Sequence, residues 1–204
     1  MPKGFWKGGF MQAETEIPRK HRWTHDEYLQ AHELGWFANQ RAELIEGEIV
    51  YMPAMNVKHF QGVVKSSEAL QLIFAKKGFF VSTQCPLNVS EISDPEPDVA
   101  VIEGKPEDFK DALPKTAALV IEIADSSLAF DRTEKASLYA KAGVEDYWIV
   151  NLKDRRLEVR RRPVEDSTAI FAYSYSTLQI LAENEIVSPL AKPEVEIKIA
   201  DLLP

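Results

Sequence analysis

The apolar and polar positions along this chain divide it into short elements of differing period. THDEYLQAHEL (24–34) opens on Thr24 with Glu27 three residues on, a capping box that predicts a short surface helix. RAELIEGEIVYMP (41–53) alternates about Gly47 and reads as a β-hairpin or bent strand. The longest helical pattern covers 57–78, with Phe60, Val63, Val64, Leu70 and Phe74 on its apolar face and Gly78 as its stop. GFFVSTQCPLNV (78–89) is a strand that ends near Pro86.

PDVAVIE (97–103) and ALVIEIA (118–124) follow, separated by an acidic, proline-bearing loop. The second is a continuous apolar run broken by one glutamate, the pattern of a central strand covered on both faces. FDRTEKASLYAKAG (130–143) predicts a helix with Asp131 at or near its N-cap and Gly143 just past its end. DYWIVNL (146–152) and RRLEVRRRP (155–163) pair about a Lys-Asp turn, and strand-like alternation returns at 171–180 and 194–203. The order predicts an α/β fold, an α+β mixed sheet flanked by helices. Residues 1–20 lack periodicity and read as a flexible N-terminal arm, leaving 21–204 as a single domain.

Composition narrows the function classes. With 204 residues, 45% apolar and 27% charged, the chain is long enough for a substantial core. No apolar run approaches the ~20 residues of a membrane helix. One cysteine, Cys85, permits no intrachain disulfide and fits a reducing cytoplasm; with four scattered histidines it argues against structural zinc. The net charge of −8 speaks against a protein that coats nucleic acid, but a nuclease whose carboxylates hold metal ions is compatible with it.

Three charges sit where charge is costly. Glu122 lies among apolar neighbours, so its carboxylate needs a cation or donors unless it faces solvent at a strand end. Lys135 shares a helical stripe with Leu138, Tyr139 and Ala142, facing the sheet or snorkelling at its rim. Asp98 follows Pro97 at the start of a strand. Two carboxylates suffice for Mg²⁺, which keeps several waters, and a nearby lysine can position the attacking water or balance charge on a phosphate. Glu43, Glu48 and Glu103 read as solvated; His59 could assist near a phosphate, but a lone histidine at a helix start is more often a surface or capping group. Arg155, Arg156, Arg160, Arg161 and Arg162 either contact a nucleic-acid backbone or protect an edge strand from aggregation. Tyr147 and Trp148 read as core.

ELIEGEIVYMP with His59 beyond it, EPDVAVI, LVIEIADSS, DRTEKASLYAKAGVEDYWIV and the tail IVSPLAKPEVEIKIADLL carry a resemblance. Over roughly 24–203 the chain resembles the Uma-two family of restriction endonucleases, within the PD-(D/E)XK nuclease superfamily. The resemblance implies a restriction-endonuclease-like PD-(D/E)XK core and cleavage of DNA that depends on Mg²⁺ or Mn²⁺. It assigns Asp98 and Glu122 as metal ligands, moves the lysine from position 124, here alanine, to Lys135, and adds Glu46 as an accessory acid. Where the family has a Ser-Pro-Ser-like turn, this chain has ADSSLAF (124–130), with Asp125 as an extra negative charge. Double-strand cleavage would call for a homodimer. The alternative is a catalytically inactive nuclease-fold module for binding or assembly, which the acidic balance and the altered turn favour.

Overall fold

The computed structural model describes residues 19–75 and 78–204; the arm expected over 1–20 lies, up to residue 18, outside them. α1 (His25–Glu33) begins with the expected capping box, Thr24 accepting from the Glu27 N–H while the Glu27 carboxylate accepts from the Thr24 N–H. β1 (Ala42–Ile45) and β2 (Glu48–Tyr51) form the antiparallel hairpin. α2 (Val57–Phe74) is capped by the Asn56 side chain. Its buried face carries Val63, Leu70 and Phe74 as expected, but Phe60 is 55% exposed and the small residues Gly62, Ser66 and Ser67 take the inner positions.

β3 (Phe79–Thr83), β4 (Val99–Glu103), β5 (Leu119–Ala124), β6 (Asp146–Asn151), β7 (Arg156–Glu165) and β8 (Tyr173–Ala182) make one six-stranded sheet in sequence order. Only β5 and β6 are parallel, because the chain between them crosses over through helix. That crossover is α3 (Leu128–Phe130), a π-helical turn (Asp131–Lys135) and α4 (Ala136–Lys141) in direct succession. Asp131 lies inside this helical stretch rather than at its N-cap. β9 (Ile186–Val187) and β10 (Ile197–Lys198) pair near the C-terminus, so much of the strand expected at 194–203 is irregular or 3₁₀. β7 is interior to the sheet, and β3 and β8 are its edge strands.

Alternation sorts the central strands into two cores. Val99, Val101, Leu119, Ile121, Ile123, Trp148 and Val150 join α2 on one face. Ala100, Ile102, Val120, Ala124, Tyr147 and Ile149 join Ala136 and Tyr139 of the crossover helix on the other. Tyr147 and Trp148 are thus core, as expected. Glu122 belongs to the second face by period, which directs it toward the crossover helix.

The contact of α2 with the sheet is close at one point. A Cβ added at Gly62 would lie 2.7 Å from Ile123 Cγ2. Gly62→Val should therefore push α2 off β5 and destabilise the protein by about 1–3 kcal/mol. Urea denaturation checks this, and an unchanged midpoint would refute the close contact.

Candidate active site

Register brings the two carboxylates together. Val99 pairs with Ile121 and Ala100 with Val120, so Asp98 falls opposite Glu122 one residue beyond the last pair. The Asp98 N–H donates to Glu122 Oε2 at 3.2 Å, and Asp98 Oδ2 accepts from the Ile123 N–H at 2.9 Å. Both side chains are buried, with Asp98 4% and Glu122 5% exposed.

The crossover helix supplies the cation. Asp131, Lys135 and Tyr139 recur at intervals of four and are all buried against the sheet. Lys135 Nζ donates to Glu122 Oε1 at 3.1 Å and reaches Glu43 Oε2 at 2.6 Å. The Tyr139 hydroxyl donates to the same Glu122 oxygen at 2.8 Å. The expected convergence of Asp98, Glu122 and Lys135 is present in the geometry, and Lys135 faces inward rather than snorkelling.

Glu46 is not part of this group. It sits at the hairpin turn with φ +48°, receives the Lys141 amine at 2.7 and 2.8 Å, and lines a different cavity. The acid that joins the group is Glu43, fully buried in β1 rather than solvated. Period gave no signal for it, since both faces of β1 are covered and Leu44 and Ile45 on opposite faces are alike apolar. Glu48 and Glu103 are exposed as expected.

His59 is the second departure. Its Nε2 lies 3.0 Å from Asp98 Oδ2, across 39 residues of sequence, so it is a member of the site rather than a surface cap. Arg41 spans the other side, donating from Nε to Glu96 at 3.0 Å, from its terminal nitrogen to the Glu96 carbonyl at 2.8 Å, and lying 4.0 Å from Asp98. In the ADSSLAF turn, Asp125 accepts from the Asn56 amide at 2.7 Å and the Ser127 hydroxyl donates to Asp131 at 2.6 Å. The turn is therefore tied at both ends.

Arg41, Glu43, His59, Asp98, Glu122 and Asp131 line a cleft of about 420 Å³ together with Met52 to Asn56 and Asp125 to Ser127, while Lys135 is buried behind that lining. Three of the five arginines of 155–162 are engaged elsewhere: Arg155 with Glu183, Arg160 with Glu158, and Arg161 with Asp146.

Negative charge exceeds positive at the floor. Burial, with Asp98, Asp131 and Glu43 nearby, pushes Glu122 up to about 8 against the pull of Lys135. Burial likewise pushes Asp131 up to about 6, despite Ser127 and Lys135. Asp98 is also pushed up by burial, but the His59, Ile123 and Arg41 contacts outweigh that and hold it below the usual range. Lys135, though buried, is held well above an ordinary lysine by Glu122 and Glu43.

The family model named Uma2, described as "Putative restriction endonuclease", matches residues 25–200. The chain belongs to this family. A crystal structure described as a putative nuclease belonging to DUF820, from Anabaena variabilis, aligns with a TM-score of 0.64 at 15% identity, covering 88% of this chain and 97% of that one. At that identity the likeness speaks for the fold, a mixed α+β sheet with flanking helices shared with a nuclease-like neighbour. No curated protein matches the chain. Among the described residues no helix is long and apolar enough to cross a membrane.

Two predictions follow from the charges in this Uma2 protein. Removing Glu43 leaves Lys135 short of one carboxylate in the interior. Glu43→Ala should cost about 3–5 kcal/mol, whereas Glu46→Ala, breaking a partly exposed pair, should cost under about 1 kcal/mol; equal losses in chemical denaturation would refute the assignment. Glu122 and Asp131 are both raised above their unfolded values, so their contribution to stability is complete below about pH 4 and is lost as pH rises through about 6 and 8. Metal-free protein should thus lose melting temperature between pH 5 and 8, by an amount that Glu122→Gln reduces; a flat profile in the parent protein would refute it.

Proposed function

We propose that this protein is a divalent-metal-dependent DNA endonuclease that hydrolyses phosphodiester bonds. The observation that carries this reading is the register pair Asp98 and Glu122 at the floor of a cleft, on adjacent strands, with a buried lysine beside them. The donor set suits Mg²⁺ or Mn²⁺, hard cations that take carboxylate oxygens and retain waters. Burial, aided by the neighbouring carboxylates, raises Glu122 and Asp131, and a bound cation would offset both effects. Asp98 and Glu122 are the proposed ligands. When bound, the ion lowers the pKa of a coordinated water and withdraws charge from a phosphoryl oxygen.

The chain's own residues set the geometry. His59 and the Ile123 N–H both engage Asp98 Oδ2, fixing the carboxylate plane and leaving Oδ1 with only longer contacts, Gln84 at 3.5 Å and Arg41 at 4.0 Å. Lys135 and Tyr139 do the same for Glu122. Held between two carboxylates, Lys135 stays charged; its proposed role is a fixed cation that orients Glu122, not the base that takes the water's proton. Cutting both strands of a duplex would need two copies of the site, hence a symmetric homodimer, whereas one strand needs one copy.

The catalytically inactive module remains the second reading for a specific reason. Every carboxylate oxygen of Glu122 already has a protein donor, and among the described residues no group of three or more His, Cys, Asp or Glu is arranged around a metal position. Calorimetric titration with Mn²⁺ separates the two. The nuclease reading expects binding that Asp98→Ala and Glu122→Ala weaken by at least about tenfold. It also expects Lys135→Ala to slow plasmid nicking on the order of 10²-fold. Failure of the parent protein to bind metal favours the inactive module, and an unchanged nicking rate removes Lys135 from the mechanism.

A further inference from the structure

Among the described residues that line the cleft, Arg41 alone carries a permanent positive charge. Lys135 is sealed behind the lining, and the lining itself holds the carboxylates of Glu43, Asp98, Glu122, Asp125 and Asp131. A phosphodiester brings a further negative charge to that floor. A fixed cation beside the carboxylates is the group such a substrate needs, and Arg41 is placed to supply it.

Arg41 is anchored along one edge and free at another. Its Nε donates to Glu96 Oε2 at 3.0 Å and its Nη2 to the Glu96 carbonyl at 2.8 Å, with Glu43 Oε1 3.5 Å from Nη2. An arginine that serves only as an ion-pair partner commonly presents two parallel N–H groups to one carboxylate. Here the Glu96 side chain takes one donor and its main chain the next, which fixes the guanidinium plane. Nη1 donates to no acceptor among the described residues, and it is accessible rather than sealed.

That free nitrogen lies 4.0 Å from Asp98 Oδ1, too far for a hydrogen bond. Oδ1 is the oxygen that His59 and the Ile123 N–H leave open, since both engage Oδ2. The unused donor of Arg41 and the open oxygen of a proposed metal ligand thus lie side by side in one cleft. Burial opposes the charge of Arg41, but Glu43, Glu96 and Asp98 outweigh it and hold the guanidinium above an ordinary arginine. The cation therefore persists at any pH at which the protein works.

We propose that Arg41 is a catalytic residue, its Nη1 binding a non-bridging oxygen of the reacting phosphate beside Asp98. This rests on the nuclease reading above. Glu96 is then a positioning residue: it sets the guanidinium before substrate arrives, so little freedom is lost on binding. As water adds to phosphorus, the bond to the leaving oxygen breaks. The water gives one proton to solvent and the leaving oxygen takes one from it. Arg41 exchanges no proton and offsets the charge of the phosphoryl oxygens throughout.

The test separates phosphate from metal. Arg41→Lys keeps the charge but not the planar fork, and Arg41→Gln removes the charge. Calorimetry in Ca²⁺ measures the binding of thymidine 5′-monophosphate, with thymidine as the phosphate-free control. The monophosphate should bind Arg41→Lys at least about tenfold more weakly than the parent, and Arg41→Gln more weakly still. Both variants should bind Mn²⁺ at least as tightly as the parent, because neither removes a carboxylate. Plasmid nicking in Mg²⁺ should fall at least about tenfold in both. A parent that binds the monophosphate no better than thymidine, or variants that bind it like the parent, would overturn the assignment. Variants that lose Mn²⁺ and phosphate together would also overturn it, making Arg41 a structural tie between the hairpin and Glu96. In each of these cases a parent that binds Mn²⁺ and nicks plasmid leaves the nuclease reading standing. A parent that does neither sinks that reading and this inference with it.

Discussion

The ammonium of Lys135, 1% exposed, is the contact on which the site depends. An ion in a protein interior costs several kcal/mol in lost hydration, which only close and well-aligned partners offset. Here the partners come from two other parts of the fold, Glu43 in β1 and Glu122 in β5, while Lys135 itself rides on the crossover helix. Hairpin, sheet and helix are joined at one nitrogen atom. None of the three can shift without leaving a charge uncompensated, and that keeps an acidic cleft from relaxing into a closed, neutral core.

The surrounding contacts extend the same logic outward. Glu43 accepts from the Glu96 backbone N–H at 3.1 Å, two residues before Asp98, so the hairpin that holds the lysine also steadies the approach to β4. His59 ties α2 to Asp98 from the opposite face of the sheet's edge, and Gly62, one turn later, lets α2 come close enough to do so. Packing and electrostatics are therefore not separable here. The helix distance set by a missing side chain decides whether a histidine reaches a carboxylate.

Much of this was legible in the residues, and the parts that were not have identifiable causes. Asp98, Glu122 and Lys135 stood out because each is charged in an apolar setting, and period alone tells which face such a residue takes. The same arithmetic does not choose Glu43 over Glu46, since each lies two residues from an apolar partner, Ile45 and Leu44; what separates them is that β1 is covered on both faces and ends before Glu46. Asp131 was readable as a cap, a common role for aspartate at the start of a helical pattern; three residues of helix ahead of it, followed by a π-turn, moved it inward. The π-turn itself left no mark in the period. His59 meets Asp98 only through tertiary packing across 39 residues, and no local pattern encodes that.

The parallel pairing of β5 and β6 has a consequence of its own. A chain leaving β5 must climb over the sheet to reach the start of β6, so it departs from the neighbouring β4 at the end where Glu122 and Asp98 lie. A hollow at that end is a product of the topology, whatever side chains line it. Its chemistry is separable from its architecture: descendants of such a chain can exchange the carboxylates and keep the hollow, so loss or replacement of the activity need not pass through an unfolded ancestor.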